Sequence, residues 1–428
     1  MNKTTCVISC PADTYSGYGA RSRDYIKALI ESKPDWDIKI LSQRWGNTRF
    51  GYLKDHNEAD LASRIIANLS AQPDVWMQIT VPNEFQKVGK YNIGLTAGIE
   101  TTICDPSWVE GCNRMDLIIV SSEHAKQTFI RSAFDIQDNV TKQITHSIRL
   151  TAPVQVLFEG IDIDKYKVVD STFDLDSIQE SFCYLVVGHW MQGNLGEDRK
   201  NIGYTIKAFL ETFKNKKNAP ALLLKVQAGS GTSITDRETL LDRIDAIRKT
   251  VNGTLPNIYI LHGEMTDDEV NSLYNHTKVK AMISLTKGEG FGRPLLEFSL
   301  VNKPIIASAW SGQLDFLDAE FTKLIGGTLN NIHPSAVVDK MIIKESQWFT
   351  PDDAQVGKAL KEVFENYKDY LTAAKRQGYK SRTSFSYDKM RETLDTILTQ
   401  SIPEFPKQVA LKLPQLKKIE LPKLTKIS

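Results

Sequence analysis

Short apolar runs alternate with amphipathic helical stretches along almost the whole chain, and this alternation limits the fold more than any other feature. TTCVISC, WDIKILS, VWMQITV, YNIGLTA, MDLIIVSS and VQVLFEG fall within the first 160 residues. FCYLVVGHW, ALLLKVQAG, NIYILHG, VKAMISL and KPIIASA follow. Between them lie ARSRDYIKALIES, SEHAKQTFIRSAF, NIGYTIKAFLETFKNK, DRETLLDRIDAIRKTV, DDEVNSLYNH and RPLLEFSLVN, with apolar residues at helical spacing. Runs that are apolar throughout predict strands buried on both faces, the mark of parallel sheets covered by helices. One open sheet of eleven such strands is unusually large. The pattern therefore predicts an α/β chain with two doubly wound parallel-sheet domains.

The rhythm breaks over KYKVVDSTFDLDSIQE, which places a first domain over 1–170 and a second over 171–367. Residues 368–400 read as one or two terminal helices, expected to cross back to the first domain. Residues 401–428 form a Pro/Lys-rich tail with six lysines against Glu404 and Glu420, a local +4 in a chain of net charge +1. The remaining residues therefore sum to about −3. Short extended segments clamped on the body, a flexible basic tail and an interfacial segment all remain open for it. Its four prolines exclude a long amphipathic helix.

The 428 residues are 41% hydrophobic and 25% charged, which excludes a disordered or collagen-like chain. Near-neutrality is a poor basis for gripping nucleic acid by bulk charge. Five scattered cysteines (Cys6, Cys10, Cys104, Cys112 and Cys183) have no zinc-ligand spacing and read as reduced, buried thiols. The N-terminus lacks the apolar run of a signal peptide, and no stretch reaches the roughly 20 apolar residues of a membrane-spanning helix. A cytoplasmic location is expected.

The segment LTKGEGFGRPLLEFSLVNKPIIASAWSGQLDFL carries the most chemistry. It leaves a strand, passes a glycine-rich turn and enters a helix near Pro294, a residue suited to the first helical turn. Gly290 and Gly292 permit close backbone approach, and a helix N-terminus offers free N–H donors to a phosphate or diphosphate. Glu289 on the loop and Glu297 one turn into the helix can face the crevice at the strands' carboxyl ends. Carboxylates beside an anion site accept hydrogen bonds from hydroxyls, and a nucleotide-sugar has them on both its ribose and its sugar.

E-G-F-G-R-P-L-L-E resembles the E-x7-E motif of retaining glycosyltransferases of the GT-B fold, most closely family 4. SLYNHTKVKAMISL, KPIIASAWSGQLDFL, VQVLFEGIDIDKY, VVGHWMQGNLGEDRKNIGYTIKAFLETF and IETTICDPSWVEGCNRMDLIIVSSEHAKQTF are similar to further segments of that family, covering most of residues 90–320. Similar segments occur in glycosyltransferases encoded by bacteriophages, which implies the host cytoplasm if this chain is phage-encoded. The resemblance implies two Rossmann-like domains facing a cleft. It implies that Glu297 holds the donor ribose and Glu289 the hydroxyls of the transferred sugar. The amides of Gly290, Phe291 and Gly292 would contact the sugar ring or diphosphate. Lys200, helped by Arg199, would stabilise the departing diphosphate, no Asp-x-Asp metal motif being present in a suitable loop. Gly17 and Gly19 match a flexible glycine loop between a strand and a helix. The family's first-domain histidine has no obvious counterpart, and Glu100 stands nearest; His189-Trp190 replaces its strand-end arginine, and Asn302 stands where it usually has glycine.

The implied activity is transfer with retention of configuration from a UDP-, GDP- or ADP-sugar to a glycan, a small molecule or modified DNA, with no bound cofactor or metal. A DNA glycosyltransferase acting on hydroxymethylated bases is one alternative. A sugar-nucleotide epimerase, a phosphorylase or a non-catalytic relative is another. Glu123 and His124 read as the start of a helix, and Trp76, Trp108, Trp310 and Trp348 as core or cleft walls. Acceptor recognition is expected in first-domain loops such as QRWGNTRFGYLKD and VPNEFQKVGK. Composition does not reveal the oligomeric state.

Overall fold

The computed structural model describes residues 3–138, 140–190, 192–229 and 232–405. The Pro/Lys-rich tail beyond Phe405 lies outside the described residues. In the N-terminal half, strands β1 (Thr5–Cys10), β2 (Asp37–Ser42), β3 (Val75–Ile79), β4 (Tyr91–Thr96) and β5 (Leu117–Val120) alternate with helices. These are α1 (Gly17–Ser32), α2 (Tyr52–Asp55), α3 (Ala59–Ser63), α4 (Pro106–Asn113) and α5 (Glu123–Arg131). A hairpin of β6 (Phe134–Gln137) and β7 (Ile144–Ile148) precedes β8 (Val154–Val156). The first sheet is six-stranded, in the order β2-β1-β3-β4-β5-β8, with every pair parallel.

The second half holds β9 (Cys183–His189), α6 (Ile202–Phe213), β10 (Ala221–Gln227), α7 (Ile234–Arg248) and β11 (Ile258–Ile260). It continues with α8 (Asp267–Asn275), β12 (Val279–Ser284), α9 (Arg293–Ser299), β13 (Ile305–Ser308) and β14 (Lys323–Ile325). A second hairpin, β15 (Gly327–Asn331) and β16 (Gln347–Pro351), leads to α10 (Asp353–Glu365), α11 (Tyr367–Ser384) and α12 (Tyr387–Ser401). The second sheet is also six-stranded and parallel, in the order β11-β10-β9-β12-β13-β14. The strand order reverses between β9 and β12, and ligands of open α/β sheets bind at the carboxyl ends beside such a reversal.

All eleven apolar runs became parallel strands. The twelfth, β14, is only three residues long, and the hairpin strands β6, β7 and β15 are largely exposed, so none of them needs an apolar run. The central strands of both sheets are mostly buried, while the edge strands β2, β8, β11 and β14 are partly exposed, and the five cysteines are buried and unpaired. On one face of the first sheet, Ile26 and Leu29 of α1 pack with Met390, Leu394, Ile397 and Leu398 of α12, so the last described helix rests on the first domain. On the other face Trp108 and Phe129 share a cluster with Trp348 of β16. Among the described residues, no helix is long and apolar enough to cross a membrane.

Candidate active site

The segment between β12 and α9 sits at the strand-order reversal of the second sheet. Gly292 caps α9 with φ 96° and ψ 41°, a left-handed conformation that glycine adopts without a steric penalty. The loop is held from below by the segment after β13. Ser311, at the rarely populated φ 76° and ψ −159°, accepts the Glu289 N–H at 2.8 Å, and the Gly312 N–H donates to the Glu289 carbonyl at 3.0 Å. Such strained backbone persists where its surroundings over-determine it. Among the described residues, the amides of Gly290, Phe291 and Gly292 donate to no protein acceptor. The Phe291 side chain is buried against Phe316.

The loop after β9 supplies the cations. Lys200 Nζ lies 2.5 and 2.7 Å from the two Glu289 carboxylate oxygens. Arg199 reaches Glu289 at 3.6 Å and the Gly288 carbonyl at 3.2 Å, and binds Glu100 of the first domain at 2.9 Å. Burial alone would raise the Glu289 carboxyl, but Lys200 and Arg199 hold it below the usual glutamate value. Glu297 is buried, 3.0 Å from Arg293 and 3.5 Å from the Tyr274 hydroxyl. Arg293 is shared with Asp24 of the first domain at 2.6 Å. Burial pushes Glu297 up to about 7, with Arg293 opposing the shift.

The first domain closes directly on this loop. A Cβ at Gly288 would stand 2.0 Å from the Glu100 carbonyl, and one at Gly290 2.8 Å from the Ala97 carbonyl, so only glycine admits the approach. The Ser121 hydroxyl lies 3.0 Å from the Gly290 carbonyl. The Glu123 N–H donates to Asp315 at 2.9 Å, and Thr102 N–H to the Gln347 carbonyl at 2.9 Å. The structure thus brings together Glu289, Gly290, Gly292, Lys200, Arg199, Glu100 and, one helical turn away, Glu297.

One expectation needs correction. Gly17 and Gly19 are not in a free loop: both belong to the first turn of α1, capped by Ser16, which accepts the Gly19 N–H at 2.9 Å. Gly19 is needed for packing, since a Cβ there would meet the Thr14 carbonyl, whereas Gly17 faces open space. His189 is exposed at the end of β9, while Trp190 turns into the second core under the Arg243 guanidinium. His189 therefore lies outside the ion-pair cluster, and Arg199 and Lys200 are the adjacent cations at Glu289.

Several contributors escaped the sequence reading. Arg293 lies inside the motif but resembles any helix-start arginine until Asp24 is placed beside it. His124 does open α5, after the Ser122 cap, yet its ring meets Trp310 edge-on at 4.7 Å across the domains. Burial drops its pKa to about 4, and its Nε2 has no partner among the described residues.

The architecture can be compared with solved structures. A glycosyltransferase from Rickettsia africae is 12% identical, with a TM-score of 0.61 over 94% of this chain and 99% of that chain. Sucrose-phosphate synthase from Thermosynechococcus elongatus is 12% identical, with a TM-score of 0.59 over 93% and 99%. Each match covers more than nine-tenths of this chain and so spans both sheets. The chain has a GT-B fold. A third GT-B structure, HepE from Anabaena in complex with UDP and glucose, is 12% identical, with a TM-score of 0.55 over 93% and 100%. No family model matches the chain, and no curated protein matches it by sequence. The Glu289 loop and the Arg199-Lys200 pair lie on the face of the second domain that meets the first.

Proposed function

We propose that this protein is a retaining, metal-independent glycosyltransferase that moves a sugar from a nucleotide-sugar to an acceptor hydroxyl, in the manner of family 4. The observation that carries the reading is the convergence of Lys200 and Arg199 on Glu289, beside three open amides at the strand-order reversal. HepE, of the same fold, was crystallised with UDP and with UDP-glucose, which favours a nucleotide-sugar as donor.

In this reading Lys200 and Arg199 turn from Glu289 to the diphosphate oxygens when the donor enters, and cationic donors replace a metal at the developing charge. Glu289, released from its ion pairs, accepts hydrogen bonds from the sugar hydroxyls, and Glu297 accepts them from the ribose. The bond between the anomeric carbon and the diphosphate oxygen breaks as the acceptor oxygen bonds the same face of that carbon. The acceptor proton goes to the departing oxygen, so no protein nucleophile is required. Glu289 and Glu297 are therefore binding groups, unlike the acid–base pair of a glycoside hydrolase.

Thermal shift with UDP, GDP and ADP, followed by transfer assays with the matching sugar-nucleotides, tests this. One nucleotide should raise Tm. Glu297→Ala should weaken that shift, and Glu289→Ala should lower turnover by about 100-fold or more. Full activity in Glu289→Ala would sink the assignment.

A further inference from the structure

We propose that the acceptor is a saccharide and that its ring is seated on the indole of Trp45, backed by Tyr18. This rests on the glycosyltransferase reading above and adds the chemical class of the second substrate.

Trp45 lies on the connection between β2 and α2, and its ring stacks on Tyr18 with centroids 3.9 Å apart and planes 18° from parallel. One face of the indole is covered by the phenol, and the side chain as a whole is only half-buried. Tyr18 is fixed in turn. Its hydroxyl accepts the Ala97 N–H at 3.0 Å and lies 3.2 Å from the Thr96 hydroxyl, at the end of β4. The carbonyl of that same Ala97 limits the space at Gly290. One residue therefore separates the aromatic stack from the loop that carries Glu289.

The loop bearing Trp45 is held in shape. Thr48 donates to the Trp45 carbonyl through its N–H at 3.1 Å and its hydroxyl at 2.6 Å. Arg49 binds Asp55 at 2.6 Å and reaches Glu264 of the second domain at 3.5 Å. A large aromatic surface kept partly exposed and rigid beside a reaction centre suits a ligand with an apolar ring face and polar edges. A pyranose has that shape: its axial C–H groups form a flat apolar face and its hydroxyls point outward.

Most cations near the stack are engaged, Arg49 by Asp55 and Glu264, Lys27 by Glu58 at 2.6 Å, and Arg23 against the Tyr52 ring at 3.3 Å, while Arg44, next to Trp45 in the chain, is exposed. Glu100 and Glu289 lie on the side of the reaction centre. One exposed arginine beside paired carboxylates falls short of the cationic track that a nucleic-acid backbone requires.

Saturation-transfer NMR on the full chain, with maltose, mannobiose and chitobiose as probes, tests the seat. At least one saccharide should show saturation concentrated on the C–H protons of one ring face. Trp45→Ala should weaken that binding about tenfold, and Trp45→Phe should retain most of it. Thermal shift by nucleoside diphosphates should be unchanged in both variants. If no nucleotide stabilises the wild type, the donor reading fails, while the saccharide measurement still decides the seat. No saturation in the wild type, or equal saturation in wild type and Trp45→Ala, would overturn the proposal. Trp45-dependent binding of a single-stranded oligonucleotide containing hydroxymethylcytosine, with no saccharide bound, would also overturn it. Should Trp45→Ala lose its nucleotide shift through misfolding, Trp45→Phe decides: loss of saccharide binding in that variant, with its nucleotide shift intact, overturns the seat.

Discussion

Arg293 holds two carboxylates at once, Asp24 at 2.6 Å and Glu297 at 3.0 Å. One guanidinium shared in this way does not fully compensate the burial of Glu297, whose pKa rises from 4.5 to about 7. Between those values the folded protein keeps a proton that the unfolded chain has released, so stability falls as pH rises through the window. The full shift corresponds to about 3 kcal/mol. Urea denaturation at several pH values between 4.5 and 8 should show this slope in the wild type, and Glu297→Gln should flatten it. If Glu297 accepts the donor's ribose hydroxyls, nucleotide affinity should rise over the same range in the wild type alone. The motif announced Glu297 as a site carboxylate, but Asp267 and Glu159 help to raise its pKa, and its partner Arg293 is shared with Asp24, 269 residues away in the chain. No local pattern encodes that neighbour.

The helix that carries Glu297 is held by an element far along the chain. Helix α9 ends at Ser299 with Leu300 as its C-cap, and Asn302 follows in a left-handed conformation, φ 59°, which asparagine tolerates better than other side chains. This explains why asparagine can stand where glycine is usual in the family it resembles. Helix α11 crosses α9 at Gly378, where a Cβ would lie 2.2 Å from Asn302 Oδ1 and 2.8 Å from the Ser299 carbonyl. The Ser299 and Ser381 hydroxyls meet nearby at 2.7 Å. Gly378→Ala should therefore destabilise the protein by about 1–3 kcal/mol, since one obstacle is backbone. Asn302→Gly should stay within about 1 kcal/mol of the wild type, and Asn302→Ala should cost about 1 kcal/mol. Denaturant midpoints for the three variants check the order. The sequence marked α9 and α11 as helices, but their contact depends on a missing Cβ that reads in one dimension as an ordinary helix glycine.

At the scale of the whole molecule, helix α12 returns to the first sheet, although its neighbours in sequence belong to the second. Leu394 is fully buried there, and Lys33 binds Asp395 at 2.7 Å. Leu394→Ala should remove about 2–5 kcal/mol. Thermal unfolding should show the loss in whichever transition reports the first sheet. The eleven parallel strands and the main helices were legible because a strand buried on both faces must be apolar throughout, and a covering helix must repeat its apolar stripe. The loop between β12 and α9 was legible because close backbone approach demands glycine, as at Gly288 and Gly290, and proline suits the start of a helix. These requirements act within some twenty residues, so the sequence by itself determined the fold class and the residues that lead the candidate site. The pairings of Glu100 with Arg199, Asp24 with Arg293 and Trp45 with Tyr18 were decided only by the tertiary structure. Each pairing rests on two side chains brought within a few ångströms by the fold, and a distance between remote positions leaves no trace in the order of the residues.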